Sequence, residues 1–207
     1  MTLAAKAPEE RRRRILQASI EVLRARGFSG TRVADIAAAA GTSPALVLYH
    51  FSSLSDVLVA ALKSLDEQYY ADLAALSAAD PRDRIVQMGA LAAEGGPAFG
   101  DWQLWLEVWV KARHDERIHE LRRAMDQRWR KELATIISAG VDKGVLSTNT
   151  PDAAVLRLSA LMDGLAVQVV LDEPELTPQQ MLELWLEGAA LELGASSDDL
   201  LNRVRSV

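Results

Sequence analysis

Side chains able to make or break bonds are scarce in this chain. It has no cysteine, so disulfides, thiolate nucleophiles and cysteine zinc sites are absent together, which fits a reducing compartment. His114 and His119 are five residues apart; at about 100° per residue this turns them off a shared helical face, unlike the four-residue spacing of a helical metal pair. No nucleophile with a base, no glycine-rich phosphate cradle and no paired His–carboxylate set has useful spacing, so neither an enzyme nor a metal or cofactor site is expected. What the residues can do is bind. Trp102, Trp105 and Trp109 fall at i, i+3 and i+7 of one helical face, where indoles are most often core and a pocket lining is the sharper alternative. Their ring faces attract cations. Asp163 and Gln168 are polar groups in an otherwise apolar helix, and an inward carboxylate needs an arginine or a cationic ligand as partner.

A second set lies near the N-terminus, in TRVADIAAAAGTSPALVLYHF from Thr31 to Phe51. Val33, Ile36, Ala37 and Ala40 recur at i, i+3, i+4 and i+7, one apolar face of a short helix that opens on Thr31 as capping hydroxyl and stops at Gly41. Ser43 can cap a second helix whose first turn begins with Pro44, where a missing N–H costs nothing. Val47 and Phe51 would pack it on the first, leaving Ala45, Tyr49 and His50 on other faces. Two outlines fit: a helix-turn-helix presenting those residues to a DNA groove, or an ordinary helical hairpin inside a core.

The elements that must hold these residues are all helical. Pro8, Glu9 and Glu10 make a good first turn for a helix ending at Gly27, with Ile15, Ala18, Ser19 and Val22 on its buried face. Helices are expected from Leu54 to about Leu76 and from Asp80-Pro81, before Gly95-Gly96-Pro97, the strongest break. Further helices follow from Asp101, from Glu116 to Gly140, from Thr150-Pro151 and, last, from Thr177-Pro178. The final two are apolar over more of their circumference than a surface helix needs, with Gly164, Gly188 and Ala189 allowing close approach, and are the candidate homodimer interface. No stretch alternates with a period of two, so no sheet is expected.

At 207 residues and 49% hydrophobic content the chain can bury a sizeable core. No apolar run approaches the roughly 20 residues of a membrane span and no secretion signal is evident, so no membrane and a cytoplasmic location are expected. The net charge of −6 is unevenly spread: residues 1–60 carry eight cationic side chains against five carboxylates, a net of +3, and the remainder is acidic. That split suits a DNA-reading module on an acidic body.

Gly27-Phe28, Thr31, Asp35-Ile36-Ala37, Ala40-Gly41, Ser43 and Tyr49-His50-Phe51, in this order and spacing, resemble the DNA-binding domain of the TetR family of bacterial repressors. Leu46, Leu48 and Leu54 depart from it, standing where the family often has threonine, tyrosine and lysine. From about Asp101 to Gly194 the chain is similar to the effector domain of the branch that includes the choline- and betaine-responsive regulator, through Trp105 with Trp109, Ala112-Arg113-His114-Asp115, Trp129, Gly140 with Gly144, and Asp163-Gly164-Leu165 with Gln168. The resemblance implies an all-α protein: a three-helix helix-turn-helix domain over 1–53, then a helical effector-binding and dimerisation domain over 54–207. It implies double-stranded DNA, a small-molecule effector and a second copy of the chain as partners.

The DNA-contacting set it implies is Thr31, Arg32, Thr42, Ser43, Pro44, Ala45, Leu46, Leu48, Tyr49 and His50. Pro44, Ala45 and Leu48 are expected at base edges, Leu48 meeting a thymine methyl; Thr31, Thr42, Tyr49 and His50 are expected on phosphates. Arg32 and the run Arg11 to Arg14 would supply the charge missing at Leu54. The effector, apolar or amphipathic and cationic or not, is expected among the helices Asp101–His114, Glu116–Gly140 and Pro151–Asp172, against Trp102, Trp105, Trp109, Trp129, Asp163 and Gln168.

Overall fold

The computed structural model describes residues 3–76, 78–93 and 102–204; the break expected at Gly95, Gly96 and Pro97 lies outside them. Among the described residues all regular structure is helical: α1 Leu3–Gly30, α2 Val33–Ala39, α3 Pro44–Phe51, α4 Leu54–Leu76, α5 Pro81–Ala93, α6 Trp102–Ala112, α7 Glu116–Asp142, α8 Pro151–Val170, α9 Pro178–Leu193 and α10 Ser197–Val204. Two compact units result, Met1–Glu67 with Gln103–Arg122, and Gln68–Trp102 with Arg123–Val207. The boundary expected at 53/54 falls inside the first unit, because α4 keeps its buried Val57, Leu58, Ala61 and Leu62 there.

In the first unit α1 packs on α2 and α2 on α3, around buried Ile15, Leu23, Phe28, Ile36, Ala37, Val47 and Phe51. α1 starts at Leu3 with Pro8 inside it, rather than at Pro8, and breaks at Gly27. α2 is opened by Arg32, whose backbone N–H donates to the Asp35 carboxylate at 3.2 Å. Thr31 is therefore not the cap. Ser53 anchors the start of α4, its hydroxyl accepting from the Asp56 N–H at 3.1 Å.

In the second unit α9 packs against α5, α8 and α10 and buries Met181, Leu182, Trp185, Leu186, Ala189 and Leu193. The hydroxyl-then-proline start works at Thr177, which closes a capping box with Gln180, but not at Thr150, where no side-chain cap forms and the hydroxyl accepts from Arg157 instead. α10, unanticipated beyond α9, is clamped by ion pairs from Arg203 to Asp80 and Asp83 and from Arg82 to Asp199. By length and mean composition alone α8 would be able to cross a membrane. It carries Asp152, Arg157 and Asp163 and lies along α9, as a core helix does.

Candidate nucleic-acid interface

α3 has an inner and an outer face. Inside, Val47 and Phe51, one turn apart, are fully or nearly buried. Outside, Ala45, Leu48 and Tyr49 stand at i, i+3 and i+4, with Tyr49 81% exposed and Leu48 42%. An aromatic side chain left this open contributes nothing to the core of the single chain. Ser43 and Pro44 are exposed at the head of the helix, and Thr42, Leu46 and His50 are half-buried. The Ser43 hydroxyl accepts from the Leu46 N–H at 3.2 Å, which commits one lone pair to the cap. His50 meets the edge of the Tyr49 ring, centroids 5.4 Å apart. Gly41, at φ +60°, turns α2 into α3.

Thr31 does not fit its expected role. It is buried, and its hydroxyl donates to the Gly27 carbonyl at 2.6 Å, so its side chain braces the α1–α2 corner rather than reaching a phosphate. Arg32 beside it is exposed. The four-arginine run also divides: Arg13 pairs with Glu10 at 2.8 Å, and the Arg12 guanidinium lies 5.0 Å from the centre of the Phe51 ring. Arg12 thus braces the inner side of α3 by a cation–π contact.

The expected tryptophans differ in burial and in employment. The Trp102 indole N–H donates to the Ala92 carbonyl at 2.9 Å. Trp129 lies 5.8 Å from Tyr69, tilted by 40°, and the Tyr69 hydroxyl donates to the Met88 carbonyl at 3.0 Å. Trp105 is buried and Trp109 half-buried, both in the first unit, whereas Trp102 and Trp129 belong to the second. Asp163 and Gln168 are exposed, a correction to the inward-facing carboxylate. The buried positions of α8 are Ala154, Val155, Leu158, Ser159, Met162 and Ala166, and Asp163 and Gln168 are rotated about 100° and 200° from Met162 and Ala166.

The buried polar groups are others. Asp66 is 7% exposed on α4 and Gln87 6% on α5; among the described residues the Gln87 amide oxygen has no hydrogen-bond partner. Both had a sequence signal: Asp66 sits on the apolar stripe Leu62, Leu65, Tyr69, Leu73, and Gln87 lies within the run Ile85, Val86, Met88. An open cleft of about 370 Å³ in the second unit is lined by Tyr70, Arg84, Arg128 and Glu132 among others, with Arg84 paired to Glu132 and Arg128 over the Tyr70 ring.

A helix-turn-helix on an otherwise all-helical chain is the architecture of a DNA-binding regulator. Residues 15–61 match the family of "Bacterial regulatory proteins, tetR family", and residues 81–194 match "BetI-type transcriptional repressor, C-terminal". The chain belongs to the TetR family and is a transcription regulator of the BetI type, not an enzyme. It is 26% identical over 183 residues to the HTH-type transcriptional regulator BetI of Yersinia pestis, covering 83% of this chain and 87% of that one. It is 25% identical over 168 residues to the HTH-type transcriptional regulator PksA of Bacillus subtilis, covering 79% and 80%. In structure it is similar to a transcriptional regulator from Saccharomonospora viridis in complex with choline, at TM-score 0.82 and 31% identity, covering 89% of this chain and 98% of that one.

Proposed function

We propose that this chain is a cytoplasmic homodimeric repressor that reads a palindromic operator with two copies of α3 and releases it when a small cationic amphiphile occupies the helical body. The observation that carries the DNA half is the exposed row Ala45, Leu48, Tyr49 above the buried pair Val47 and Phe51. Leu48 offers an apolar contact for a thymine methyl, and Tyr49, His50, Thr42 and Arg32 supply phosphate contacts. Two-fold symmetry requires half-sites about one DNA turn apart, or a multiple of it.

Dimerisation is supported by what α8 and α9 leave uncovered in a single chain: Leu156 is 54% exposed, Leu184 44% and Leu191 86%, and nothing lies within 4 Å of a Cβ built on Gly164. The effector class is supported by the choline held by the Saccharomonospora viridis relative and by the buried Tyr69, Trp102 and Trp129 of this chain, since aromatic faces attract quaternary ammonium groups. Of the expected contacts, Trp102 and Trp129, both in the second unit, stay in the proposal. To shift the protein from almost wholly DNA-competent to almost wholly incompetent, the effector must favour the second shape by about 10⁴-fold, or roughly 5.5 kcal/mol.

Titration with choline and with its neutral isostere 3,3-dimethylbutan-1-ol, following tryptophan fluorescence and operator binding together, tests the effector class. Choline is expected to quench and to release DNA. Release by the neutral alcohol with no response to choline would overturn the cationic assignment.

A further inference from the structure

The helix-turn-helix is held at both of its ends by one distant stretch of chain. Before α2, the Phe28 backbone N–H donates to a carboxylate oxygen of Glu107 on α6 at 2.5 Å. The approach requires Gly27, whose φ is +65° and on which any Cβ would collide with the Glu107 carboxylate. After α3, Arg117 in the first turn of α7 pairs with Asp56, and Asp56 is in turn bound by the Ser53 hydroxyl at 2.6 Å. The Ser53 hydroxyl and then Arg117 hold the Asp56 carboxyl below its ordinary range, so this grip is charged at neutral pH. Glu107 and Arg117 lie in Gln103–Arg122, the stretch that joins residues 1–67 in one compact unit. That stretch runs directly into the second unit at Trp102 and at Arg123.

We propose that Glu107 and Arg117 are positioning residues: two clasps that fix α2–α3 from either side and make its orientation depend on the α6–α7 corner. The reason is mechanical. A short helix pair such as α2–α3 has few contacts of its own and depends on tertiary anchors for its orientation. Anchors at Phe28 and Asp56 bracket the pair, Val33 to Phe51, within a few residues on each side. Because both belong to one segment, a shift of that segment moves both anchors together and carries the pair as a body, whereas removal of one anchor lets the pair swing. Two states of a packed element, biased from elsewhere through this segment, are what coupling between distant sites requires. The proposal rests on α3 being the DNA reader, and it names the residues through which α6 and α7 take hold of that reader.

The test compares full-length wild type with Glu107→Ala, Glu107→Gln, Arg117→Ala and Asp56→Asn, by amide hydrogen exchange and by affinity for DNA selected with the wild-type protein. Glu107→Ala and Arg117→Ala are expected to speed exchange of the Ile36–Phe51 amides by about 10-fold while leaving α9 unchanged, as a local loosening does. DNA affinity should fall by at least about 5-fold with an unchanged salt slope, because neither side chain neutralises a phosphate. Glu107→Gln should behave as wild type, since its amide oxygen still accepts from Phe28. If Glu107→Ala fails to fold, Arg117→Ala and Asp56→Asn carry the same comparison. Unaltered exchange over Ile36–Phe51 in the alanine variants would overturn the clasps, and so would a reduced salt slope in Arg117→Ala, which would place that arginine on a phosphate. If the wild-type protein selects no DNA, the DNA reading has failed and the exchange experiment still decides the clasps.

Discussion

The Trp185 indole closes over Gly89: two of its ring carbons would stand 2.7 Å from a Cβ built there, and its N–H donates to the Leu158 carbonyl at 3.0 Å. One buried side chain thereby joins α5, α8 and α9. Gly89→Ala forces the indole or a helix to move, and overpacking of this kind costs about 1–3 kcal/mol. Urea unfolding followed by tryptophan fluorescence should show that destabilisation, whereas Gly164→Ala, in open space, should change the single chain's packing little.

Leu48 separates base reading from backbone binding. Leu48→Ala removes the apolar surface that α3 offers while leaving every charge in place. It is expected to relax preference at one position of each half-site without altering the salt slope. Binding measured on operators substituted one base pair at a time checks this; a uniform weakening at every position would place Leu48 in support of the helix instead.

Arg32 should do the opposite. It is exposed and next to the start of α2, so Arg32→Ala is expected to weaken binding to all sequences alike and to lower the salt slope by about 1 for each phosphate that the guanidinium had neutralised. Affinities at several salt concentrations, for selected and random DNA, give both quantities.

How far such residues were legible in the sequence depended on whether their partners were near or far along the chain. The i, i+4 pair Val47 and Phe51 and the caps Ser43 and Thr177 follow from local spacing, and the structure has them. Thr31 was misread because a hydroxyl before a helix reads as a cap, while here Asp35 reaches back to the Arg32 N–H and Thr31 turns to Gly27. Asp163 was misread because α8 is apolar on more than one side, so periodicity does not say which face is buried. α10 is only eight residues long and is held by Asp80, Arg82 and Asp83, more than a hundred residues earlier. Glu107 on Phe28 and Arg117 on Asp56 span 79 and 61 residues, and no local pattern announces such pairs.

The ion network under α10 makes stability depend on acid. Hydrogen bonding to the Arg82 guanidinium is the main reason the Asp80 carboxyl is held down at about 2, with Arg203 adding to it. The folded value lies below the unfolded one, so the contribution is whole above about pH 4 and is lost as pH falls through about 2. The Asp80 side chain is 28% exposed, and solvent screening reduces the effect to on the order of 1 kcal/mol. Urea midpoints of wild type and Asp80→Asn should differ at pH 6 and converge toward pH 2; a constant gap would remove the charge from the explanation.

The roles assigned to Arg32 and Leu48 depend on two copies of α3 reading one defined DNA sequence. Repeated selection of random double-stranded DNA on the purified protein, followed by sequencing and by affinities at two salt concentrations, measures that reading itself. The expected result is an inverted repeat whose half-sites are about one helical turn apart, or a multiple of it, bound more weakly as salt rises. Retained DNA with no enriched sequence, or no retention at low salt, would contradict it.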